Sequence, residues 1–247
     1  ISNAWWMRKT ADEQRKDIEK NVRSIYDLFE SARAYSATAR AGVDTSLRDI
    51  RYEAMRVVFE DTVPVMVEAN TRRQIEAVID FQRAFNVRVI LVGAEDAPRM
   101  IPQLQRSGMG IIIPRVHSLP RREEDGYDSP FVLAKTLAEA GIMFAFSESG
   151  AWQQRNLPFH AGTARAFGLS EEDAVKGLTI YPAKMFGIDA QYGSIEVGKS
   201  ATLFISRGDA LDSKSNSVVA AFIDGREIDL DNRHKRLAKK YRARGTR

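Results

Sequence analysis

Apolar residues change their spacing twice along this chain, and each change marks a change of architecture. From Thr10 to Ala41 they recur at helical intervals (Ile18, Val22, Ile25, Leu28, Phe29), with Thr10 placed to cap and Asp12 and Glu13 in the first turn. Gly42 is the expected stop. A second helix is expected from about Ser46 to Asp61 on Leu47, Ile50, Met55, Val58 and Phe59. Short continuous apolar runs then alternate with amphipathic stretches. Pro64–Glu68, Arg88–Val92, Gly110–Ile113 and Ile142–Phe146 read as strands. Helices are expected between them at Thr71–Phe85, with Thr71 as cap and Ile75, Val78, Ile79 and Phe81 inward, at Glu95–Ser107, and at Ser129–Gly141. Gly108 stops the second of these, and Pro98 and Pro102 disturb its first turns. A loop rich in Pro, Arg and acids spans about 114–128, and further helical segments fall at about 155–167, 171–177 and 181–186.

Strands that are apolar throughout and separated by helices predict a parallel sheet covered on both faces, an α/β fold. Four such units are half of a (β/α)₈ barrel. A small open doubly wound sheet is the alternative, but no GxGxxG or Walker A sequence follows any strand, so it would lack a nucleotide site. The last third changes again. A turn-rich Gly193–Lys199 leads to strand-like 201–206 and 217–223, with Asp224-Gly225 as a hairpin turn before Arg226. The expected organisation is a partial barrel over 1–190, a small β-sandwich or hairpin appendage over 191–230 and a basic C-terminal helix over 231–247.

The 247 residues suffice for one large domain, whereas eight barrel units need about 250 by themselves. Cysteine is absent, which excludes disulfides, thiolate metal sites and cysteine nucleophiles in this chain. The net charge of +4 is a property of the tail. Residues 233–247 carry eight Lys/Arg and no acid, against 29 Lys/Arg and 33 Asp/Glu in the rest. A solvated terminal helix explains that run, and no interleaved aromatic platform supports nucleic-acid binding. No apolar run approaches the roughly 18 residues of a membrane span. The start at Ile1-Ser2-Asn3 has neither initiator Met nor a signal peptide, and reads as the interior of a longer protein.

Two stretches and their order carry a resemblance. Residues 144–150 (FAFSESG) are followed by 155–188 (RNLPFHAGTARAFGLSEEDAVKGLTIYPAKMFGI), and then by 193–206 (GSIEVGKSATLFIS). Together they resemble the amidohydrolase superfamily, especially its imidazolonepropionase-like branch. There a last barrel strand ends in a metal-binding Asp, helices with an Asn-Pro-Ala turn follow (here Tyr181-Pro182-Ala183), and a Gly-Ser-Ile-Glu hairpin re-enters a small sandwich. The resemblance covers roughly 60–230 and implies that the four strands are barrel strands five to eight.

It also implies metal-assisted hydrolysis of cyclic-amide C–N bonds, with Zn²⁺ or another divalent ion held by His residues on strands one, five and six and an Asp on strand eight. The residues at the matching positions are Glu68, Gly93 or Val92, and Ser149, and the hairpin carries Thr202 where Asp is usual. No metal ligand or other cofactor is therefore assigned in this chain. Glu148 replaces the strand-eight Asp only if the strand end is bulged, because neighbouring strand residues face opposite ways. The four strand tips, Glu68, Gly93, Ile113 and Ser149, are expected around a common opening.

Glu68, His117 and Glu148 are the candidates for acid/base work. Asn70, Glu95, Ser147, Ser149, Asn156 and His160 are the candidates for lining the pocket. Plainer readings stand beside them. His117 serves equally as a loop histidine, Glu95 as a helix-start acid, and Trp5, Trp6 and Trp152 as packing. Arg121–Asp125 reads as a solvated lid and His234 as part of the basic tail. Two functions follow: a hydrolase of C–N bonds, or a metal-free relative that binds a small molecule or pairs with an active homologue. The expected partners are the missing N-terminal half, a homo- or heterodimer mate and a small-molecule ligand, with neither nucleic acid nor a membrane span. The branch resembled implies export to the periplasm or outside the cell.

Overall fold

The computed structural model describes residues 10–41 and 49–243. Gly42, Ser46, Leu47, Trp5, Trp6 and the last basic residues lie outside them. The chain forms two compact units, residues 1–65 with 80–88, and residues 66–79 with 89–247.

The first unit is built on α1 (Ala11–Arg40) and α2 (Ile50–Phe59). Thr10 accepts the amide of Glu13 while Glu13 reaches back to the Thr10 backbone, a capping box that satisfies two otherwise orphaned donors. Asp49 caps α2 through the amide of Arg51. Aromatic rings form the core. Phe29 of α1 meets Phe81 edge-on at 4.8 Å, and Tyr26 lies 5.9 Å from Phe81. The helical spacing of α1 is as expected, but its burial differs. Phe29 and Ala32 are buried, whereas Ile18, Val22, Ile25 and Leu28 are exposed.

In the second unit the order is β1 (Val65–Ala69), α3 (Arg72–Phe85), β2 (Val89–Gly93), α4 (Ile101–Ser107), β3 (Gly110–Ile112), α5 (Ser129–Glu139), β4 (Phe144–Ala145), α6 (Leu157–Ala166), α7 (Glu171–Lys176) and α8 (Ile180–Phe186). β1 and α3 contribute their ends to the first unit. The sheet order is β1-β2-β3-β4, and β2, β3 and β4 pair parallel. No closure into a barrel is seen among the described residues. Ile90, Leu91, Ile111, Ile113 and Phe144 are buried, as continuous apolar strands require, with Ile75, Leu104 and Leu137 of the helices against them. The expected helix 95–107 is broken into a 3₁₀ turn, Ala97–Arg99, and α4, each with a Pro in its first positions. Gly108 ends α4 with φ of 65°, the left-handed cap that glycine takes at least cost.

β5 (Leu203–Ser206), β6 (Val218–Ile223) and β7 (Arg226–Glu227) form a separate antiparallel sheet, turned at Asp224-Gly225 with both φ values positive. Helix α9 (Arg233–Arg242), capped by Asn232, follows. No helix among the described residues is long and apolar enough to cross a membrane.

Candidate functional site

In a parallel sheet the carboxyl ends of all strands share one edge, and the loops leaving that edge carry the chemistry. The loops after β2, β3 and β4 carry Glu95, His117 and Glu148. Beyond the ladder, the Ile113 amide donates to Ala145 O at 2.9 Å, and Ser147 Oγ donates to Ile113 O at 2.6 Å. Ser147 thus fastens the tip of β4 to that of β3.

The next residue turns inward. The Glu148 side chain is only 2% exposed, while Ser149 faces solvent. The carboxylate of Glu148 is fully engaged. Oε2 accepts from His160 Nε2 at 2.9 Å and faces Arg115 Nε at 3.4 Å. Oε1 accepts from the amides of Ser149 and Gly150 at 3.0 and 3.4 Å. The His160 bond holds the Glu148 pKa below the usual carboxylate value against the opposing cost of burial, and the Gly150 amide and the Arg115 charge add to it.

His160 lies in α6, its side chain fully buried. The backbone N–H of His117 donates to its Nδ1 at 3.4 Å, so the ring proton belongs on Nε2, where it meets Glu148. The two imidazoles lie 4.3 Å apart, and His117 Nε2 contacts Thr163 Oγ1 at 2.7 Å. Burial of the His117 ring lowers its pKa, and the neighbouring His160 and Arg115 lower it further.

A second network holds the loop after β3. Asp96 is buried and receives both terminal nitrogens of Arg122 at 2.7 and 2.8 Å, Arg99 Nη1 at 2.6 Å and the Arg72 amide at 2.9 Å. The Arg122 bonds hold the Asp96 carboxyl far below its ordinary value. Arg121 pairs with Glu95, and Arg99 with Asp125. Residues 121–125, expected as a solvated lid, are therefore tied to the loop after β2 by a half-buried Arg122. The charges of a run say nothing of their partners, and here the partner lies 26 residues away.

The sequence candidates thus divide. Glu148, His160 and His117 come together, with Ser147 beside them. Glu95 is spent on Arg121. Asn156 bonds Gln153 and braces the turn before α6. Glu68 is exposed and makes no side-chain hydrogen bond among the described residues. Asn70 has a buried Oδ1 without a partner, set against Gly93. Arg115, Thr163 and Asp96 were not singled out by the sequence. Arg115 stands two residues before His117, and only the fold sets it against Glu148.

Whether these residues suit a metal can be read from the same geometry. A Cβ at Gly93, where the resemblance expects a histidine, would lie 2.1 Å from Asn70 Oδ1. Ser149 offers only a hydroxyl, and the Glu148 oxygens are taken. Among the described residues no three His, Asp or Glu are grouped to hold an ion.

The described strands form a parallel α/β sheet with polar side chains gathered on the loops at its carboxyl ends. Residues 53–228 match the model of the Amidohydrolase family, and the chain belongs to that family. Among solved structures it is similar to an amidohydrolase from Thermotoga maritima MSB8, at 23% identity and a TM-score of 0.73, covering 84% of this chain and 55% of that one. It is also similar to a putative prolidase from Bifidobacterium longum (17% identity, TM-score 0.54, 87% of this chain and 64% of that one). Molinate hydrolase is a third (16%, 0.53, 73% and 46%). The chain therefore spans about half to two thirds of these relatives. No curated protein sequence matches it.

Proposed function

We propose that the protein is a hydrolase of amide-type C–N bonds in small molecules, and that its four parallel strands are strands five to eight of an eight-stranded barrel. The observation that carries this reading is that the family match spans the strands whose following loops bear Glu95, His117 and Glu148, together with the helix that bears His160. His117, exposed beside the buried pair and with its pKa lowered from the usual imidazole value, is the group suited to exchange a proton with a substrate. Arg115 Nε faces Glu148 at 3.4 Å, and a guanidinium there is a group suited to a carbonyl or carboxylate oxygen. The family commonly uses a divalent metal, which polarises the carbonyl when bound. The stretches 144–150 and 193–206 favour the imidazolonepropionase-like branch, with cyclic amides as substrates and export from the cytoplasm. The names of two similar structures, a putative prolidase and molinate hydrolase, add prolidase substrates and molinate as alternatives.

A second reading is a metal-free relative that binds its ligand or supports an active homologue, for which the one observation is that both Glu148 oxygens already accept hydrogen bonds within the chain. One experiment separates the two. The full-length protein is assayed for metal content and for amine release from cyclic amides, N-acyl amino acids and Xaa-Pro dipeptides. Turnover of one class, falling on the order of 10²-fold in His117→Gln, supports the hydrolase. Saturable binding of the same compounds with no turnover under any added divalent metal supports the second reading instead.

A further inference from the structure

A cavity of about 250 Å³, lined by neither Glu148 nor His160, lies between the loop after β2, the loop after β3 and α5. Its wall is largely apolar, formed by Pro98, Pro114, Leu119, Pro120, Pro130 and Leu133. The volume falls below the roughly 300–1,000 Å³ of sites for drug-sized ligands, so its occupant is small. Proline side chains are rigid and cost little entropy to order, which suits a preformed wall.

Two ion pairs stand at this cavity, and they differ in kind. Arg99–Asp125 belongs to the network on Asp96, and the Asp125 side chain is only 16% exposed. That pair is part of the frame. Glu95–Arg121 is a single 3.2 Å contact between side chains 34% and 47% exposed. An exposed pair of this sort contributes less than a factor of ten to stability, so a ligand can replace it almost freely. The opposite charges that would be released lie side by side. An α-amino acid carries its ammonium and carboxylate on one carbon and is the small molecule that matches such a pair. Leu119 is 89% exposed at the edge of the same cavity, a large apolar side chain in water with an apolar wall beside it. Its neighbour Ser118 is fixed by a bond from Oγ to Arg115 O at 2.8 Å, which anchors the base of that turn.

We propose that this cavity binds a small zwitterion with an apolar body, an aliphatic α-amino acid. Its ammonium sits on Glu95, its carboxylate on Arg121, and its side chain lies among the prolines and Leu133. Leu119 covers the ligand and loses its exposure to water. The assignment is independent of whether the protein hydrolyses an amide.

The test is titration calorimetry and NMR on the full-length protein with L-leucine, L-leucine amide and N-acetyl-L-leucine. Each derivative lacks one of the two charges. Leucine is expected to bind saturably, and each derivative several-fold more weakly, up to about tenfold, the worth of one half-exposed ion pair. Arg121→Gln should erase the preference for leucine over its amide, and Glu95→Gln the preference over the acetylated form. Both side chains are half-exposed, so neither change endangers the fold. The absence of saturable binding by leucine, isoleucine, valine and proline would overturn the proposal. So would a charge preference that both variants leave intact.

Discussion

Replacing Glu148 by Gln tests the central pair with almost no change in shape. The carboxylate accepts three donors, His160 Nε2 and the amides of Ser149 and Gly150, and faces the Arg115 guanidinium at 3.4 Å. A glutamine can turn its oxygen toward His160 or toward the two amides, and its NH₂ then confronts the other side. An unsatisfied buried donor costs about 1–3 kcal/mol. Arg115 keeps 44% of its side chain in water and is satisfied there, so the net cost should lie near about 2 kcal/mol. In a chain of this size that is a fall in Tm of about 4–8 °C. The acid side sharpens the test. Glu148 has a lowered pKa in the fold, so its contribution is complete above the unfolded carboxylate value of about 4.3 and is lost as pH falls through the folded value. Urea unfolding of both proteins from pH 8 to pH 3 should show a gap that is constant down to roughly pH 4.3 and then closes. Glu68→Gln, at an exposed position, is the control and should stay within about 0.5 kcal/mol of wild type. A gap under about 0.5 kcal/mol at pH 7, or one that does not narrow in acid, would refute the account.

Asp96→Asn should cost about 3 kcal/mol by stranding Arg122 and Arg99, and should hasten tryptic cleavage at Arg115–Arg122 in limited proteolysis. Gly93→Ala places a Cβ 2.1 Å from Asn70 Oδ1 at a φ of 96°, and thermal melts should show a loss of at least about 1 kcal/mol, partly restored by Asn70→Gly. In an NMR titration the His117 ring should protonate below 6.5. Since its folded pKa is the lower one, the unfolded chain takes up the proton first, and stability should fall as pH drops below about 6.5.

The short apolar runs with helices between them were enough to fix the parallel sheet, because a strand buried on both faces must be apolar throughout. Thr10 and Gly108 were readable as a cap and a stop for the same kind of reason, since the groups they satisfy lie within one helical turn, whereas Asp49, which caps α2, lay inside the helix expected from Ser46. The stretches 144–150 and 193–206 already pointed to the family. The alternation rule put Ser149 and Glu148 on opposite faces, but only the folded chain decided that Glu148 turns inward, where His160, Arg115 and two amides outbid water for its oxygens. His160 and Arg115 lie 12 and 33 residues from Glu148, and no periodicity relates them. The same holds for Arg122 on Asp96 and for Asn70 against Gly93. A local pattern encodes what a residue needs, burial or a partner, and three-dimensional proximity alone determines which residue supplies it.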